Sequence, residues 1–227
     1  GVRADWYSTD DLPSLNSSFV ARNVFSNQQN LDGKSVVLPR VSFNWAPMDR
    51  LTVSGGLGRF SSTGLNVWLS NPYANNGVNQ TNAICPAGPY TNVDLTKAPT
   101  GCTFTPGNGS TNVLDPALQI PTVWKGNLSV GYRFDLGRFG DDWLVQLDYL
   151  KSVNENALFW RDLRAVQTGI APDGRPVYGR TTGAGTTGGN VFDFMLTNID
   201  KGGSEAAAVT VAKSWREGIW EGLSSRV

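Results

Sequence analysis

Two aromatic-polar stretches hold the residues best suited to chemistry. In NVWLSNPY, Trp68 and Tyr73 flank Asn71. Such rings could stack on a sugar or an aromatic ligand while the amide supplies hydrogen bonds. The plainer alternative is an aromatic cluster that packs the base of a loop. In FWRD, Trp160 precedes Arg161 and Asp162. An Arg beside an Asp could hold a carboxylate or phosphate, or form a surface ion pair of little energetic consequence. Cys85 and Cys102 are the only thiols. They read either as a disulfide pinning a loop, worth roughly 3 kcal/mol by chain entropy, or as two unrelated cysteines. Histidine is absent, which removes Ser-His and Cys-His nucleophile systems and His-based metal sites. Acidic residues are scattered, with no carboxylate pair that spacing forces together as a glycosidase needs. Asp200–Glu205 lacks the alternating ligands of a calcium loop. No enzyme activity and no cofactor are expected.

The elements that must position these residues are strands. Pro39 to Phe60 reads as two strands joined by a tight turn at Ala46–Arg50, where Pro47 and Asp49 suit a turn. Val41, Phe43 and Trp45 alternate with Arg40, Ser42 and Asn44, so one face is apolar and the other polar. The same alternation runs from Thr122 to Asp135, with Trp124, Leu128, Val130, Tyr132 and Phe134 opposite Lys125, Asn127, Ser129 and Arg133. It returns at Trp143, Val145, Leu147 and Tyr149 against Gln146, Asp148 and Ser152, and again at Ala207, Val209 and Val211. Val2 to Tyr7 reads as the end of a strand and the stretch beyond Ile219 as a further, partial one, although Trp220 and Leu223 fall on opposite sides. This makes an all-β antiparallel meander of about seven strands. Sustained helical periodicity is missing.

The connections alternate long and short. Residues 8 to 34, 61 to 121 and 154 to 203 are long and polar, rich in Asn, Gly and Pro; PDGRP marks a small hairpin and GAGTTGG a flexible run. All short turns then lie at one end of the sheet and all long loops at the other, as in outer-membrane barrels. Strands of roughly 10 to 13 residues suit a tilted crossing of hydrocarbon. Trp45, Phe60, Trp124, Phe134 and Trp143 near strand ends fit interfacial girdles. Lys plus Arg equals Asp plus Glu at 19 each, so no net charge draws the chain to nucleic acid.

Several strings resemble the barrel of TonB-dependent outer-membrane receptors, particularly the Oar-like group with a carboxypeptidase-regulatory-like domain. They are GVRADWYSTDD, NLDGKSVVLPRVSFNWAPMDRLTVSGGLGRFS, NVWLSNPYANNG, LDPALQIPTVWKGNLSVGYRFDL, APDGRPVYG and FMLTNIDKGGS. The resemblance implies part of a large transmembrane β-barrel, similar to those of about 22 strands around an internal plug, with short periplasmic turns and long extracellular loops. It implies a place in the bacterial outer membrane and energised uptake of a scarce nutrient. The implied partners are outer-membrane lipid, the plug and remaining barrel of a parent chain, TonB acting through that plug, and an unknown nutrient ligand. Arg40, Asn44, Lys125, Asn127, Arg133 and Asp148 would face the lumen, and residues 1 to 227 would be an internal barrel segment without plug, N-terminal domain or closing strand. The alternative is a secreted β-rich module that binds carbohydrate through Trp68 and Tyr73, with the apolar rows closed into a two-sheet core.

Overall fold

A computed structural model describes residues 1–61, 66–79, 83–86, 94, 96–97, 100–104, 109–180 and 192–227. In chain order the elements are β1 (Val2–Trp6), α1 (Ser17–Asn23), β2 (Ser35–Met48), β3 (Leu51–Ser61), α2 (Asn66–Ala74), β4 (Ala83–Ile84), β5 (Thr103–Phe104), β6 (Thr111–Leu114), β7 (Thr122–Phe134), β8 (Trp143–Glu155), β9 (Ala157–Asp162), β10 (Ala165–Ile170), β11 (Pro176–Arg180), β12 (Asp193–Ile199), β13 (Gly203–Ser214) and β14 (Ser224–Arg226). Among the described residues no helix is long and apolar enough to cross a membrane, which says nothing of strands.

The main sheet has seven strands in the order β1-β2-β3-β7-β8-β13-β14, every pair antiparallel. Period-two alternation places its side chains as expected, because cross-strand partners share a face. One row reads Phe43, Gly55, Leu128, Tyr149, Ala207; the next reads Trp45, Val53, Val130, Leu147, Val209. No second layer covers these rows among the described residues: Phe43, Trp45, Leu147 and Val209 are 52%, 60%, 51% and 64% exposed.

The sheet departs from expectation at its ends. β2 begins at Ser35 rather than Pro39, and a bulge between Trp45 and Met48 shrinks the turn to Asp49 and Arg50. β14 begins only at Ser224; Trp220 and Leu223 sit in a turn closed by the Trp215 N–H to the Leu223 carbonyl at 3.0 Å. Their failure to alternate reflects that turn. Phe60 corrects the girdle reading: it has the parity of Gly58 and lies on the polar face, under the Arg40 guanidinium at 4.5 Å. Trp45, Trp124, Phe134 and Trp143 keep the apolar face.

Described parts of the long connections fold into a cap at one end. β6, β12 and β9 form a three-stranded sheet in which β12 is parallel to β6 and antiparallel to β9. One of its faces joins Leu114, Leu196 and Trp160 to Leu31, Leu118 and Ile120, and to Val36 and Leu38 from the polar-face side of β2. Its other face packs Val113 and Met195 on Phe19 of α1. The cap thus rests on the polar face of the sheet at its loop end. The region from 154 to 203 is therefore not one polar loop. The chain leaves β8 through Asn156 at φ 55, whose N–H donates to Asp200 Oδ1 at 2.9 Å, and enters β9. PDGRP closes the β10–β11 hairpin; the glycine run GAGTTGG lies outside the described residues.

Both helices lay below the sequence signal. α1 has seven residues and is started by Asn16, whose side chain accepts from the Phe19 N–H. α2 contains Pro72, and its Asn-Pro pair reads as a turn.

Candidate functional site

Each end of the sheet is tied by charge, but differently. At the short-turn end the paired groups are exposed or half-buried. Arg50 meets Asp135 at 2.5 Å, while Arg133 and Arg216 meet Asp142 at 2.7 and 3.0 Å, linking all three short turns. The Asp142 N–H and then Arg50 hold the Asp135 carboxyl below its ordinary value, and the Arg133 hydrogen bond does the same for Asp142. In the cap the groups are buried. Asp193 is fully enclosed and accepts from Arg22, Asn23 and Arg164. Asn16, also fully buried, donates to the Asn76 carbonyl at 2.9 Å and to Thr111 Oγ1 at 3.2 Å. Gly77, at φ +75, lies against them; a Cβ there would fall 2.5 Å from Asn16 Nδ2, so only glycine fits.

The six polar strand residues, Arg40, Asn44, Lys125, Asn127, Arg133 and Asp148, share the face opposite the apolar rows. Asn44 and Asp148 lie on one row with Ser54 and Ser129, and Ser129 donates to Asp148 at 2.6 Å. Arg40, Gly58, Lys125, Ser152 and Ser204 form another row along a trough of about 850 Å³. Gly58 makes room for the ring of Phe60 between the two cations; a Cβ on it would stand 3.0 Å from that ring. Among the described residues neither Arg40 nor Lys125 meets a carboxylate.

In the cap, α2, β6, β9 and β12 bring Trp68, Asn71, Asn112, Trp160 and Phe194 around a second cavity of about 380 Å³. Two stretches far apart in sequence meet there. The Trp160 and Phe194 rings stand edge to face at 6.4 Å. Asn112 and Phe194 escaped sequence reading: they enter through the parallel β6–β12 pair, which no local pattern announces. Tyr73 and Arg161 do not join. The Tyr73 hydroxyl donates to the Asp11 carbonyl at 2.8 Å, and burial, with Asp11 near, raises its pKa. Arg161 is exposed and has the opposite strand parity from Trp160. Cys85 and Cys102 form a disulfide beside the β4–β5 pair.

These features define a class of architecture: an antiparallel meander with one bare apolar face, one polar face and a cap built from its loops. No protein-family model matches the sequence. No curated protein matches it either. Among solved structures the chain is similar to the siderophore receptor PirA from Pseudomonas aeruginosa, at 16% identity and a TM-score of 0.39, over 78% of this chain and 25% of that one. It is similar to a mutant of the ferric enterobactin receptor PfeA from the same organism, at 15% identity and a TM-score of 0.43, over 79% of this chain and 20% of that one. PfeA in complex with BCV-L6 gives 14% identity and a TM-score of 0.42 over the same shares. The chain spans a quarter or less of the length of these receptors.

Proposed function

We propose that this chain is a stretch of wall from a TonB-dependent receptor barrel in the bacterial outer membrane, serving energised uptake of a nutrient. Its apolar rows meet lipid, its polar face lines a plugged lumen, and its cap faces outward. The reading rests on the upper edge of the bare apolar band. On β2 that band reaches Val37; on β13 it stops at Ala207, where Glu205 and its partner Lys151 take over at 2.6 Å. Because Ala207 shares a row with Phe43, the edge drops about six residues across four strand spacings. At roughly 3.3 Å per residue and 4.8 Å per strand, its slope is about 45°, the tilt of membrane barrel strands. Arg59 follows the edge on β3, and Trp124 on β7 and Val153 on β8 are apolar exceptions above it. A secreted sandwich would need a second layer over these rows.

Single cysteines at Leu147, Val209, Lys125 and Ser129, in the full chain reconstituted in lipid vesicles, test this. A lipid-soluble maleimide should label the first pair and spare the second. Equal labelling of both pairs, or recovery of the chain as a soluble monomer, would falsify it.

A further inference from the structure

We propose that the cap cavity is a binding site for a neutral glycan, with one sugar ring held between Trp68 and Trp160. The inference deepens the receptor reading, and rests on it for the purpose of binding.

The first observation is the state of the amides. Asn16, Asn27 and Asn76 nearby are fully buried, and each spends its side chain on hydrogen bonds. Asn71 and Asn112 differ. Their backbones are engaged, the Asn71 carbonyl by the Asn75 N–H and the Asn112 N–H by the Asn75 carbonyl, both at 2.7 Å. Among the described residues their side chains make no hydrogen bond, although both line the cavity. Each offers a donor pair and an acceptor, the combination that matches vicinal hydroxyls.

The second observation is the ring platform. Trp160 packs its body on the cap core and Phe194 is wedged by Phe192 at 4.7 Å, so two rings are fixed before a ligand arrives. Trp68 stays 41% exposed on the α2 side. Neither indole N–H has a partner among the described residues, whereas Trp143 donates to the Phe139 carbonyl at 3.2 Å. The third observation is charge: the lining contains no ionised group. An anionic ligand would find no counter-charge. A quaternary ammonium ion would suit the rings but leave both amides unpaired at a cost. A ring with apolar C–H faces and hydroxyl edges satisfies both. The volume, about 380 Å³, lies at the small end of ligand sites.

The test is titration calorimetry of the full chain in detergent with maltoheptaose, cellohexaose and mannohexaose, and with choline and citrate as contrasts. At least one neutral oligosaccharide should bind. Trp68→Ala should weaken it about tenfold or more, and Asn71→Ala or Asn112→Ala about fivefold. Tyr73→Phe, outside the cavity, should leave binding unchanged. If Trp68→Ala does not fold, the Asn71→Ala result decides. Absence of binding by all three oligosaccharides, binding indifferent to Trp68→Ala, Asn71→Ala and Asn112→Ala alike, or preference for choline or citrate overturns the proposal. Cysteine labelling in vesicles reads the membrane assignment separately, so either can fail alone.

Discussion

The sheet and the cap solve opposite problems with the same chain. In the sheet, β2 to β13 satisfy their backbones through a regular ladder, and, outside the loop end where the cap covers Val36 and Leu38, the side chains meet only two environments, one per face. Position parity is then enough to place a residue. In the cap, backbone and buried polar groups are satisfied by individual partners far away in sequence. Asn16 reaches Asn76 and Thr111, and Arg22 reaches Asp193 across 171 positions. The contrast teaches that the sheet should tolerate substitutions that respect parity, while the cap should fail when a single partner is lost.

The largest effect is expected at Asp193. Asp193→Ala leaves Arg22 and Arg164 facing each other without their carboxylate, with Arg164 itself buried. Losing one partner of a buried ion group typically costs about 3–5 kcal/mol. Hydrogen exchange should accelerate in α1, β6 and β12 and stay unchanged in β7 and β8. Uniform acceleration across both regions would mean that they unfold as one unit.

Next comes a pair of neighbours in β8. Leu147→Arg places a charge in the middle of the apolar band and should destabilise the vesicle-inserted chain by about 2–4 kcal/mol. Gln146→Arg, one residue away on the polar face near Asp148, should change stability by less than about 1 kcal/mol. Urea unfolding in lipid measures both, and equal losses would erase the distinction between the faces.

A smaller gain is expected at Val24, which closes α1 at φ 65 with its side chain 90% exposed. A β-branched residue pays a steric penalty in that region. Val24→Gly should raise cap stability by about 1 kcal/mol, read as slower exchange in α1 alone.

The smallest effect concerns acid. Asp135 and Asp142 have folded-state pKa values below their unfolded ones. Their contribution is therefore present above the ordinary carboxylate range and is lost as pH falls through the lowered values. Acidification should loosen the short-turn end first, and Arg50→Gln should flatten that pH response. Exchange rates at residues 49–50 and 135–142 are the readout.

How much was legible follows the same division. Val41, Phe43, Leu128, Leu147 and Val209 were placeable because period two is a local property, and Arg40, Lys125 and Asp148 followed as their complement. The ring of Phe60 near a strand end suggests a girdle residue, while its parity with Gly58 puts it under Arg40. Trp68, Asn71 and Trp160 are ligand-like by residue type, but in sequence they fall in two separate groups. Nothing in TNVL or DFMLTNI announces that β6 and β12 run parallel, since that pairing spans a long, structurally varied connection. Asn112 and Phe194 were accordingly invisible.

The sequence by itself determined the seven-stranded antiparallel meander, the sidedness of its faces and the separation of short turns from long connections. Each of these depends on alternation or on loop length, which neighbouring residues carry. Tertiary structure alone decided that described parts of the long connections fold over the polar face onto Val36 and Leu38, and that α2, β6, β9 and β12 enclose a cavity. Those outcomes depend on buried groups such as Asn16 and Asp193 finding partners across the chain, and no window of neighbouring residues contains both members of such a pair.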